Sequence, residues 1–445
     1  MKRLKLFNST PRGWYQRLAG SLYWKSVGKL SGAALVAQVL SFGVSLLVAR
    51  HYSPAMAGQL GVMTALLGII VPISCLRYEL ALPLPERDAD ALHLFRLLLQ
   101  MIGVAAMLSI VFCATALLLP AFNTVFELGW LLWFLPLIVL VAGVLNCLSM
   151  WCNRIGAFHI LSRIRVLSVI LNGVIVLGAG LVGSASSFWL VLGLFISGLG
   201  CVLYVIQGLK SSVAGPVPLS LRPEWGPPAV KLLKQFKQFP QFNAPMTLLD
   251  QAAAMSPALL FAAYFSTSVT GQFNLCLSVL RIPASLLGAA VAQVFYFRAA
   301  KLLKERAELW QLVWRTSILL IMVAVPMVAV LSVFGPALFE WVFSAKWRIS
   351  GEFSQVMVWS SATMLILSPT SMLPSLLNLQ HKHFVIAAGS SVLRVGFLWW
   401  GCTTGEVMTA LVWFTLAELI GGVVYVVWVI RELFSRSVPD SPQSS

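Results

Sequence analysis

Charge is scarce in this sequence. Only 10% of its 445 residues are charged and only 15 are acidic, whereas a soluble domain carries about a quarter charged residues. With 59% apolar residues and a mean hydropathy of +0.88, that shortage excludes an ordinary water-soluble fold. The sequence has no polar stretch long enough for a large soluble domain. It has no GxxxxGK[ST] phosphate loop and no Ser/His/Asp arrangement on a plausible scaffold, so ATP hydrolysis and other enzyme chemistry are not expected. Nor is any cofactor. The seven cysteines include no CxxC pair and have no histidine at metal-ligand spacing; they read as small packing residues.

What is present is a series of long apolar runs. A membrane span needs about 20 apolar residues, and such runs occur at about 30–49, 60–76, 97–119, 129–151, 164–182, 187–209, 241–264, 272–297, 311–334, 354–378, 384–401 and 408–430. The expected fold is all-α and membrane-embedded, with about twelve spans. Three runs are weakened by charge: the seventh by Asp250, the eighth by Arg281 and the eleventh by Arg394.

The basic residues orient the chain. If cytoplasmic loops collect Lys and Arg, only Arg50, Lys346 and Arg348 lie in loops of the opposite side. Arg281 and Arg394 lie within spans, and the rest of the 31 basic residues share the side of the N-terminus. Both termini are therefore expected in the cytoplasm. Basic clusters spaced by apolar stretches fit anionic headgroups, so the net charge of +16 does not imply nucleic acid. Residues 1–29 are basic, with Trp14, Tyr15 and Tyr23, and lack a cleavage site of the A-x-A kind. They read as a cytoplasmic interfacial segment.

The sequence also repeats. Ser53, Gly58 and Gln59, after the first span, recur as Ser266, Gly271 and Gln272 after the seventh, 213 positions later. Six spans is an even number, so two six-span lobes would run in the same direction about a pseudo-twofold along the membrane normal. The expected divisions are 30–209 for the N-lobe, a proline-rich cytoplasmic connection at 210–239, 240–430 for the C-lobe, and a cytoplasmic tail at 431–445.

Several blocks resemble a known family. They are Leu76-Arg77-Tyr78-Glu79-Leu80-Ala81, Lys237-Gln238-Phe239-Pro240-Gln241-Phe242-Asn243-Ala244-Pro245, Gly271-Gln272-Phe273 through Ile282-Pro283, and Phe334-Gly335-Pro336-Ala337-Leu338-Phe339 with Lys346-Trp347-Arg348. In this order they resemble the polysaccharide flippases of the multidrug/oligosaccharidyl-lipid/polysaccharide exporter superfamily, including Wzx-type O-antigen flippases. Residues 97–210 resemble it only in hydropathy. Where the family tends to carry a basic residue in the eighth span, this chain has Ser278, and Arg281 follows three positions later on the same helix face.

The resemblance implies transfer of undecaprenyl-pyrophosphate-linked oligosaccharide from the cytoplasmic to the periplasmic leaflet of a bacterial inner membrane. The product would be lipopolysaccharide O-antigen, capsule or exopolysaccharide. The implied partners are the lipid-linked substrate, membrane lipids, and polysaccharide polymerase and chain-length proteins. Such a substrate needs a water-accessible cationic cavity, and arginine suits a diphosphate because its fork pairs bidentately and stays charged. The candidates are Arg281, Arg394, Arg77 and Arg50, with Ser278. An arginine at mid-depth costs about 2.5 to 3.5 kcal/mol on insertion scales, so one retained in a span calls for a cavity or a partner. Arg281 reads as a substrate contact, an intramembrane ion pair or a snorkelling residue. Arg394 reads as a substrate contact or a partner of Asp250 or Glu418. Arg77 reads as a rim partner of Glu79, and Arg50 as an interfacial anchor.

Asp250 and Glu418 are the acids well inside spans. In related lipid II flippases a sodium site is built from the seventh, eleventh and twelfth spans, so the resemblance implies coupling to a cation, with Thr247, Ser390, Ser391 or Thr415 supplying further oxygens. No other metal is expected. Gln38, Asn146, Asn153, Asn172 and Asn378 either line a sugar path or bond between helices. Two rivals remain: a cation-coupled drug or metabolite antiporter of the same superfamily, and a membrane glycan polymerase or ligase. The second would need a large periplasmic loop, and the longest expected here is about 335–353.

Overall fold

Ser53 ends one passage through the chain and begins the next. Its backbone is extended, its hydroxyl accepts a hydrogen bond from the Met56 amide at 3.3 Å, and Pro54 follows in the first helical turn, where a missing N–H costs nothing. Ser266 does the same for the Val269 amide at 3.2 Å. The repeated serine is thus a helix cap in both halves.

The computed structural model describes residues 21–211, 227–302, 305–377 and 379–435. Most of the expected N-terminal segment, the centre of the connection, the end of the tail and Asn378 lie outside the described residues. The first half comprises α1 (Ser21–His51), α2 (Pro54–Ile73), α3 (Asp88–Leu118), the short α4 (Pro120–Phe126), α5 (Phe134–Ile155), α6 (Phe158–Leu181) and α7 (Ser187–Ser211). After the short α8 (Pro227–Gln235), the second half contains α9 (Ala244–Tyr264), α10 (Thr267–Pro283), α11 (Ala289–Lys301), α12 (Arg306–Phe343), α13 (Arg348–Leu367), α14 (Leu373–Leu376), α15 (Gln380–Thr403) and α16 (Val407–Ser435). Among the described residues there is no strand.

Among the described residues ten helices are long and apolar enough to cross a bilayer. An eleventh span is the pair Ala345–Leu367 and Thr370–Leu376, bent by 55°. The expected eighth span is formed by α10 and α11, joined by a π-helical turn at Ala284–Gly288. Pro283 has no N–H to bond the preceding turn, which accounts for the break there. Gln272, Asn274, Ser278 and Arg281 lower the apolarity of α10, and these residues face protein or cavity rather than acyl chains. The expected loop at 335–353 is much shorter than read from hydropathy, because α12 continues to Phe343 and α13 starts at Arg348. The apolar face turned outward is broad: Met107, Leu118, Val174, Val333 and Val423 are all exposed, as lipid contact requires.

Within the first half α1 packs on α6, α6 on α7, and α3 on α5; within the second, α12 packs on α13, α15 on α16, and α9 on α15. The halves meet through α2, which lies against both α9 and α10. Their crossing is a backbone contact. A Cβ on Gly58 would stand 1.7 Å from the Thr267 carbonyl oxygen, and one on Gly271 would stand 1.9 Å from the Pro54 carbonyl oxygen. These are one contact repeated by the pseudo-twofold, since Pro54 and Thr267 are separated by the same 213 positions as the glycines. Small residues permit such an approach in a membrane.

The repeated glutamines hold the crossing in place. Gln59 Nε2 donates to the Glu127 carbonyl at 2.7 Å and its Oε1 accepts from the Ser187 hydroxyl. Gln272 Nε2 donates to the Lys346 carbonyl at 2.7 Å, while its Oε1 accepts from the Ser350 amide at 3.0 Å. Thr267 Oγ1 donates to the Glu127 carboxylate at 2.5 Å, from one half to the other. Buried Trp347 donates its indole N–H to the Ala49 carbonyl at 2.7 Å, and Lys346 Nζ donates to the Arg50 carbonyl at 2.9 Å. All of this lies at the end poor in basic residues, so that end is closed.

Gly58→Val or Gly271→Val is expected to part α2 from α10, because the clash is with backbone that no rotamer change relieves. The check is labelling of a cysteine placed at Thr64 by a membrane-impermeant thiol reagent added at the base-poor end. The native cysteines are buried. Labelling should rise several-fold in the valine variants; an unchanged rate contradicts the clasp.

Candidate functional site

Directly beneath the glycine crossing the halves separate, leaving a cavity of about 410 Å³ between α1, α2, α9 and α10. Its walls are mostly apolar, including Val48, Leu60, Met255 and Leu277, with polar groups contributed by Ser45, Thr64, Asn274, Ser278 and Arg281. Ser278 and Arg281, three residues apart on α10, face the same space. The Ser278 hydroxyl donates back to the Asn274 carbonyl at 2.7 Å, which leaves its oxygen free to accept. Among the described residues no carboxylate lies within ion-pair distance of Arg281. The charges that act on it most are those of Glu418 and Arg394. It is therefore a cation on a cavity wall rather than half of a closed pair.

A second charged group lies in the C-terminal half. Arg394 on α15 pairs with Glu418 on α16 at 3.5 Å, each about a quarter exposed, and the Arg394 Nε is buried with no hydrogen-bond partner. Of the partners considered for Arg394, Glu418 is the one in contact. Asp250, on α9, feels the charges of Arg394 and His383. One turn before Glu418, the buried Thr415 hydroxyl has no partner. Asp250, Glu418 and Thr415 each carry oxygens of the kind a small cation takes, but Arg394 already occupies the Glu418 carboxylate. Among the described residues no cluster of three or more His, Cys, Asp or Glu could hold a metal.

The other two arginines are elsewhere. Arg77 sits at the basic end in a left-handed backbone conformation (φ 64°) that turns it toward Glu79, 3.2 Å away. Burial pushes the Glu79 carboxyl up, against the pull of Arg77. Arg50 lies at the closed end, where Nη2 donates to the Val342 carbonyl at 3.4 Å. Neither lines the cavity. Gln38, Asn146, Asn153 and Asn172 do not line it either.

Several residues of this region were not singled out from the sequence. Asn274 lies 213 positions after Gly61, and a Cβ on Gly61 would stand 1.9 Å from its Nδ2; extending the repeat by two positions past Gln59 and Gln272 reaches this pair. His383, in the first turn of α15, stacks on Trp428 and meets Tyr425 edge-on. No local pattern distinguishes it from the other histidines. Glu127 joins the halves through a side chain in a loop that hydropathy reads only as a boundary.

The polysaccharide biosynthesis protein family matches residues 47–351, more than half of the chain. Among solved structures, the inward-facing conformation of a multidrug resistance MATE family transporter of the MOP superfamily superposes with a TM-score of 0.64 at 15% identity, covering 92% of this chain and 100% of that one. The lipid II flippase MurJ in an inward closed conformation gives 0.65 at 11% identity, covering 90% and 87%. No curated protein matches the sequence significantly. This chain shares the fold of both structures. The chain belongs to the polysaccharide biosynthesis protein family.

Proposed function

We propose that this protein is a flippase that moves undecaprenyl-pyrophosphate-linked oligosaccharide from the cytoplasmic to the periplasmic leaflet of a bacterial inner membrane. The observation that carries the reading is Arg281: an arginine without an ion-pair partner on the wall of a cavity between the two halves. A guanidinium there offers two parallel donors to a diphosphate, and the neighbouring Ser278, Thr64 and Asn274 offer hydrogen bonds to sugar hydroxyls. The prenyl tail would stay in lipid. The lobes, taken as 30–209 and 240–430, would rock about the glycine crossing so that a cavity loaded from the cytoplasm opens to the periplasm. The positive-inside distribution supports placing the basic end, both termini and the 210–239 connection in the cytoplasm. Polymerase and chain-length proteins would receive the flipped unit as O-antigen, capsule or exopolysaccharide. Arg77 would meet the diphosphate at the cytoplasmic rim, and Arg50 would hold the closed periplasmic gate.

Coupling would run through Asp250 and Glu418. A proton or sodium ion arriving there competes with Arg394 for negative charge, and Arg394 set free from Glu418 can turn toward Arg281 and the cargo. The cavity would then gain positive charge when the driving cation is bound.

In a strain lacking the gene, restoration of surface glycan by Arg281→Gln should fall at least tenfold, with lipid-linked oligosaccharide accumulating on the cytoplasmic face. Normal restoration contradicts the diphosphate role. A MOP-type antiporter for cationic drugs would tolerate the same substitution, so drug efflux that survives Arg281→Gln identifies that rival.

Asp250→Asn should leave the protein folded but make transport insensitive to a proton or sodium gradient, measured by imposing each gradient in turn on vesicles. Wild-type gradient dependence in both Asp250→Asn and Glu418→Gln removes the coupling account.

A further inference from the structure

A second cationic cavity shares no lining residue with the first. It occupies about 600 Å³ between the last turn of α11 and the first half of α12, with Arg298 and Lys301 on one wall and Gln311, Arg315 and Thr316 on the other. Among the described residues three cations face it against one acid, Glu308. Arg298, Lys301 and Arg315 make no ion pair within 4.0 Å among the described residues. Lys301 Nζ lies 4.2 Å above the Phe297 ring instead. The three lining cations repel one another, with Glu308 the one acid among the described lining residues to offset them, and an anion of two or more oxygens lowers that cost.

The place of the cavity suits a headgroup. Helix α12 has 38 residues, roughly 57 Å at 1.5 Å per residue against a hydrocarbon thickness of about 30 Å. Its N-terminal turns therefore reach through the interface on the basic side. Trp310 and Trp314 stack on one another there, and Trp314 is 56% exposed, as aromatic side chains at the headgroup level are. The lining residues of α12 follow one helix face downward. Gln311 and Arg315 come first, and then Leu319, which is 49% exposed. Leu302 and Leu312 add apolar lining. A ligand that is anionic at the top and apolar below matches this sequence of groups, whereas a soluble anion uses only its upper part.

We infer that the α11–α12 cavity binds the phosphate headgroup of a membrane lipid, with Arg298 and Arg315 as the bidentate contacts, Lys301 as a third charge, and an acyl or prenyl chain along Leu319. The site is independent of Arg281 and of the transport reading. Its phosphate comes either from an anionic phospholipid of the bilayer or from a polyprenyl diphosphate, and the two call for different tests of occupancy.

The full-length protein in neutral phosphatidylcholine nanodiscs is titrated with phosphatidylglycerol in one arm and with undecaprenyl pyrophosphate in the other, and bound lipid is counted by native mass spectrometry. The comparison is wild type, Arg281→Gln, Arg315→Gln, and Arg298→Gln with Arg315→Gln. Loss of phosphatidylglycerol binding by tenfold or more in the double variant, with an intermediate loss in Arg315→Gln and none in Arg281→Gln, identifies a bilayer-lipid site. In the other arm Arg281→Gln removes the copy held in the transport cavity, and loss of a further copy in the double variant, with phosphatidylglycerol binding unchanged, identifies a prenyl-diphosphate site. All these residues are exposed, and elution of each variant as wild type on size exclusion establishes that it is folded. Unchanged binding of both lipids in the folded double variant overturns the proposal.

Discussion

Everything in this architecture hangs on the crossing of α2 and α10 at Gly58 and Gly271. Two helices from different halves touch backbone to backbone there, closer than any side chain permits. Because the contact is its own image under the pseudo-twofold, each half supplies one glycine and one carbonyl. The glutamine that follows each glycine fastens the crossing to the loop beyond the third span of its own half, at Glu127 and at Lys346. The cavity between the halves lies next to this tight contact and shares Gly271 and Trp347 with it. The cavity is a consequence of the clasp.

The charges make sense within that geometry. Arg281 is affordable because α10 turns its polar face to the cavity rather than to lipid. Arg394 and Glu418 hold one another on neighbouring helices, close enough to Arg281 for their charges to act on it. The polar residues that made the seventh, eighth and eleventh spans poor by hydropathy are those that the fold withdraws from the bilayer. The other basic region, Arg298, Lys301 and Arg315, lies in the last turns of α11 and the first three turns of α12.

Much of this was legible in the sequence because the bilayer imposes a crude rule. Apolar runs of one length and an asymmetric distribution of Lys and Arg are readable without tertiary knowledge, and the helices recover the expected order of spans, with α10 and α11 broken at Pro283. The helix ends were less legible: α12 and α3 extend past their apolar parts, so the expected loop at 335–353 shrank to four residues, Ser344–Trp347. The repeat was visible as a motif, but that its two copies bind each other is a contact between residues 213 apart, which no local pattern encodes. For the same reason four arginines looked alike in sequence. Their separation into a cavity wall (Arg281), ion pairs with Glu418 (Arg394) and Glu79 (Arg77) and a hydrogen bond to the Val342 carbonyl (Arg50) follows only from packing.

The central claim is that this chain alone carries a lipid-linked glycan across a bilayer. The most direct measurement reconstitutes the purified protein into liposomes loaded with a fluorescent polyprenyl-pyrophosphate oligosaccharide and follows its exposure to an impermeant quencher or glycan-cleaving enzyme. Exposure of the inner-leaflet pool at a rate that scales with the amount of protein is the predicted result. A rate equal to that of protein-free liposomes, under both a proton and a sodium gradient, contradicts the account.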